Sequence, residues 1–126
     1  MRQDAANNRA AIVTATRQLL TTEGPGISMR TIAKAASVGV ATATRHFPER
    51  IELLDAVSAQ ASADIAAIIE AHSGEFASDA RTAWRTTVHS IGTLQLATLA
   101  QAIYEDAMRD PETRKQKDRI IAVSYT

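Results

Sequence analysis

Four polar side chains crowd into one short stretch, Thr42, Thr44, Arg45 and His46. Hydroxyl, guanidinium and imidazole groups are the kinds that meet base edges and phosphate oxygens in a major groove. Other chemistries find less support. His72, Glu75 and Asp79 are grouped in sequence, but Gly74 is expected to break the helix between them, and His89 stands apart. There is no His-Glu-x-x-His spacing and no glycine-rich phosphate loop. The chain has no cysteine, which excludes a disulfide framework, a thiolate zinc site and a cysteine nucleophile. No catalytic residue, metal site or cofactor is expected. Trp84, Tyr104 and Met108 could line a ligand pocket, but helical core is their expected role.

The elements that must position these side chains are helices. Alanine supplies 25 of the 126 residues, with only three prolines and five glycines. That composition favours helix over strand. Ile12, Val13, Thr16, Leu19 and Leu20 follow a helical period and predict a helix over 9–23. Gly24 and Pro25 stop it. Ser28 can cap a second helix, whose inner stripe is Met29, Ile32, Ala33 and Ala36. A break at 37–39 precedes a short helix over 40–47. Pro48 is placed to open a long helix that runs to about Ala71. Further helices are expected over 76–92, 94–109 and 111–123. The reading is all-α with about seven helices. The stripe Trp84, Val88, Ile91 marks the fifth and Leu96, Leu99, Ile103, Ala107 the sixth.

Two short helices around a three-residue turn form a helix-turn-helix candidate. Ala33 is the small residue such a crossing needs, Val38 plugs the turn, and Phe47 closes the second helix against the first. The stretch Arg9 to Val57 resembles the TetR family of bacterial repressors. The resemblance rests on Ile12, Ala15, Leu19, Gly24, Ser28-Met29, Ile32-Ala33, Ala36, Val38, Ala41-Thr42, Arg45-His46-Phe47-Pro48, Arg50, Leu53-Leu54 and Val57. It implies a homodimeric repressor that leaves its palindromic operator when a small-molecule effector binds the C-terminal part. It implies Arg30 as a base or phosphate contact, and Val40, Ala41 and Thr42 near base edges. His46 and Arg50 would touch phosphates beside the start of the long helix. Val40 and Ala41 offer only apolar contact, so direct reading falls mainly to Thr42, Arg45 and Arg30.

Two positions depart from the family pattern. Ser37 stands where glycine is usual, at roughly 1 kcal/mol if its φ is positive. Thr44 replaces a common tyrosine and reaches less far toward phosphate. The resemblance also implies further helices beyond Thr126. The expected organisation is therefore a helix-turn-helix DNA-binding domain over 1–50 and an incomplete helical effector-binding and dimerisation domain over 51–126.

The net charge is zero, but it divides unevenly. Residues 1–50 hold seven basic and three acidic side chains, +4. Residues 51–126 hold seven basic and eleven acidic, −4. A basic N-terminal half fits a nucleic-acid contact. Arg9 and Arg17 are expected to face solvent. No apolar run approaches the ~18 residues that span a bilayer, and the opening MRQDAANNRA lacks the apolar core of a secretory signal. The expectation is a cytoplasmic protein with double-stranded DNA as partner and no membrane contact. The alternative is a shortened interaction protein that pairs with a full-length relative, or a remnant. An enzyme has only scattered histidines and carboxylates in its favour.

Overall fold

The computed structural model describes residues 2–111 and 113–115. Six helices occur among them, and no strand: α1 (Arg2–Thr22), α2 (Met29–Ala35), α3 (Val40–His46), α4 (Arg50–Ser78), α5 (Ala80–Gly92) and α6 (Leu96–Arg109). Most of the seventh expected helix, 111–123, lies outside the described residues; 113–115 are helical.

α1, α2 and α3 pack against one another, and α1 also packs on α4 and α6. Their shared core holds Ile12, Leu20, Ile32, Leu53, Leu54, Val57 and Leu99, none more than 1% exposed. α6 therefore belongs to the same core as the helix-turn-helix, through Leu99, Ala102 and Ala107. α5 packs chiefly on α4. Its inner face is Ala83 and Thr87, small side chains that allow close approach.

Several expected boundaries move, each for a local reason. α1 begins before Arg9 because Arg2, Gln3, Ala5 and Ala6 are good helix formers and Asp4 lies in the first turn, where the helix dipole favours an anion. Pro48 lies outside α4, and Glu49 occupies the N-cap position. Gly74 does not end α4; the helix runs through it to Ser78. The break falls instead at Asp79, whose carboxylate accepts from Thr82 N–H (3.2 Å) and Thr82 Oγ1 (2.7 Å). A side chain that caps the next helix ends a helix more decisively than an interior glycine. These two bonds hold the Asp79 carboxyl below its ordinary pKa.

The apolar stripe expected on α5 is offset. Trp84 is 65% exposed and Val88 49%. Trp84 and Tyr104 are thus surface residues, while Met108 packs partly buried against the core.

Candidate nucleic-acid interface

The turn between α2 and α3 is built by backbone hydrogen bonds. Val38 N–H donates to Ala33 O at 3.0 Å, and Ser37 N–H donates to Lys34 O at 3.2 Å. This pair is a Schellman cap, which needs a left-handed residue just past the helix. Ser37 is that residue, with φ +59. Its missing glycine is therefore a real strain of roughly 1 kcal/mol. Ser28 caps α2 by accepting from Thr31 N–H at 3.1 Å. Ala33 is 1% exposed at the crossing, and Val38 packs against the core. Phe47 is 3% exposed and closes α3.

Within α3, Ala43 is fully buried. At 100° per residue, the outward face is centred on Ala41 and Arg45, flanked by Val40, Thr44, Thr42 and His46. Val40, Ala41, Thr44 and Arg45 are exposed. Thr42 and His46, on one flank of Ala43, are half-buried, whereas Val40 and Thr44 on the other flank are exposed. Arg45 donates from Nη2 to Thr42 Oγ1 at 3.1 Å. That bond joins the two side chains best able to read a base edge. The His46 ring lies 6.5 Å from the Phe47 ring, which ties its position to the core. Arg30 is exposed on α2.

The other basic residues of the N-terminal half have different places. Arg17 is not solvent-facing; it donates to Asp64 and to Gln60 Oε1 (3.2 Å), joining α1 to α4. The Arg9 guanidinium lies over the Phe47 ring, 5.1 Å from its centroid. Arg50 donates from Nε to Asp106 Oδ1 and from Nη2 to Asp106 Oδ2, both at 2.8 Å. Two of the seven basic residues are thus paired with acids of the second half. The uneven charge read from the sequence is partly cancelled by these long-range pairs. Arg30, Lys34 and Arg45 make no ion pair among the described residues.

Asp106 is the functional-site neighbour that sequence reasoning missed. It sits 56 residues from Arg50, and as one of two adjacent acids in an amphipathic helix, Glu105 and Asp106, it carries no signal of its own. It is 3% exposed and also accepts from Gly26 N–H at 2.8 Å. Burial raises its pKa, but the bonds from Arg50 and Gly26 and the charges of Arg50 and Arg109 outweigh burial and leave it lowered. Gly26 itself has φ +83, and a Cβ there would collide with the Arg109 guanidinium.

Elsewhere, α4 and α6 form an open groove lined by Ala61, Ile65, Leu99 and Ile103 among others. His72 Nδ1 lies 3.3 Å from Glu75 Oε2 within the unbroken α4. Among the described residues no group of three or more His, Cys, Asp or Glu side chains is placed to hold a metal. None of the described helices is long and apolar enough to cross a membrane.

Two short helices joined by a tight turn and packed on α1, the second with polar side chains facing outward, define the class: a helix-turn-helix. Residues 12–57 match the family model of bacterial regulatory proteins, tetR family, and this segment is a TetR-family helix-turn-helix domain. The family is one of DNA-binding regulators. No curated protein and no solved structure matches the chain.

Proposed function

We propose that the chain is a transcriptional repressor that binds a palindromic DNA operator as a dimer and acts in the cytoplasm. α3 enters the major groove with Thr42 and Arg45 at base edges and Val40 and Ala41 against apolar base surface. Arg30, Thr44, His46 and Arg50 serve base or phosphate contacts at its margins. The single observation that carries this reading is the outward face of α3. Its guanidinium has no carboxylate partner among the described residues and is aligned by Thr42. The groove between α4 and α6 is the place for a small apolar effector. In this reading residues 1–50 make the DNA contacts and residues 51–126 hold effector and partner.

The test is selection of duplexes from a random-sequence pool by the purified chain, followed by titration at several salt concentrations. The expected site has two half-sites about one helical turn apart, ~34–36 Å. Its log–log salt slope should be about −0.9 per phosphate neutralised. Arg45→Ala with His46→Ala should abolish selection while the melting temperature holds. Equal selection by this double variant removes α3 from the contact surface.

A second reading takes the exposed Trp84 and Val88 on α5 as its motive. There the chain binds DNA only when paired with a longer family member. Loss of one half-site alone lowers affinity by ~10²–10⁴. Sedimentation velocity separates the two readings, since autonomous repression needs a homodimer.

A further inference from the structure

Arg50 is expected from the sequence to hold a phosphate, yet the structure ties it to Asp106. The two facts fit together when the atoms are counted. Nε and Nη2 face the two carboxylate oxygens. Nη1 has no partner among the described residues, and the Arg50 side chain is 22% exposed. A guanidinium is a rigid planar fork, so fixing two of its nitrogens fixes the direction of the third. The carboxylate cannot swing freely, because Gly26 N–H also holds it. Arg109 also lies against Gly26, and its charge acts on the same carboxylate. Arg50 is the first residue of α4, three residues after the Phe47 that closes α3.

We propose that Asp106 is a positioning residue for DNA binding, which aims the free Nη1 edge of Arg50 at a backbone phosphate beside the recognition helix. The inference rests on the DNA-binding reading above. It makes α6 a support of the phosphate contact as well as part of the core. It also accounts for the contrast in exposure within the pair. Asp106 is 3% exposed and Arg50 22%, as suits an acid that orients and a base that still reaches outward. A bond from a charged guanidinium to phosphate is short and directional, and an ammonium cannot serve both partners in this fork.

The experiment uses fluorescence anisotropy of the full chain with a labelled mixed-sequence duplex of about three helical turns, between about 50 and 200 mM NaCl. Wild type, Asp106→Asn, Arg50→Lys and Arg45→Ala are compared, each well below its own melting temperature. Asp106→Asn and Arg50→Lys should each weaken binding about tenfold and flatten the salt slope by about 0.9, the value of one phosphate. The sign is diagnostic. Removing a negative charge should tighten binding if only net charge matters, so tighter binding by Asp106→Asn overturns the proposal. Weaker binding with an unchanged slope also overturns it, since that is the result for a purely structural pair. Should Asp106→Asn fail to fold, Arg50→Lys decides alone: wild-type affinity means that any cation serves and no aiming occurs. Normal binding by Arg45→Ala beside weakened binding by Asp106→Asn would sink the recognition-helix reading and leave this one standing. No binding by the wild type overturns both.

Discussion

Thr16 in α1 and Thr87 in α5 are both buried, yet their hydroxyls fare differently. Thr16 Oγ1 donates to Ile12 O at 2.7 Å. Thr87 Oγ1 has no partner among the described residues. The same contrast runs through the two regions that hold them. Around the helix-turn-helix and α6, large aliphatic side chains are buried and the polar groups that enter are satisfied. Along the distal part of α4 and α5, small side chains face inward and Ile69, Phe76, Trp84 and Val88 stand at the surface. The first region has the rigidity that reading DNA requires, because phosphate and base contacts tolerate little misplacement. The second invests less of its apolar surface in its own fold. Such surface suits pairing, the role the second reading above gives it.

The contrast breaks most sharply on core truncation. Phe47→Ala should lose about 3–5 kcal/mol in urea unfolding, and Trp84→Ala should stay within about 0.5 kcal/mol. Equal losses would mean that α5 is as integral to the core as α3. Acid should strike the first region through Asp106. Its folded pKa lies below the unfolded value of 3.8, so its stabilisation is complete above that value and is lost as pH falls through the lower folded pKa. Melting curves between pH 7 and about pH 3 should fall less steeply for Asp106→Asn than for wild type. Superimposable profiles would show that the junction adds no acid-sensitive stability.

Two glycine exchanges sharpen the comparison at smaller scale. Ser37→Gly relieves the left-handed strain in the α2–α3 turn and should add roughly 1 kcal/mol. Gly74→Ala should add roughly 0.5–1 kcal/mol, because a Cβ there meets nothing within 4 Å and the site is inside α4. A loss of stability in Gly74→Ala would show that α4 needs its flexibility at that point. Both are read from chemical denaturation midpoints.

Much of the helix-turn-helix was legible because its signals are local. Ser28 as a cap, Ala33 at the crossing, Val38 in the turn and Gly24 as a stop each act within a few residues of where they stand. The left-handed residue at Ser37 was raised only by the resemblance, as the position where glycine is usual, and its φ is indeed positive. The face of α5 was misread because Ala83-Trp84 and Thr87-Val88 set a small and a large residue side by side. Periodicity alone cannot tell which of the two packs inward. Gly74 was overweighted because an interior glycine lowers helix stability by only about 1 kcal/mol, less than a long packed helix withstands.

Charge shows the same division. The number and placement of basic residues were fixed by the sequence itself, and with them the helical pattern and the polar run from Thr42 to His46. Which of those charges remain for DNA was decided only in three dimensions. Arg17 is paired with Asp64, Arg50 is held by Asp106 through only two of its three nitrogens, and the exposed Arg9 lies over the Phe47 ring. Each partner lies tens of residues away, and only the packing of α1 on α3 and α4, and of α4 on α6, brings them together. Local hydrogen bonds and periodicity are written along the chain, whereas ion pairs between helices depend on crossings that no short window contains.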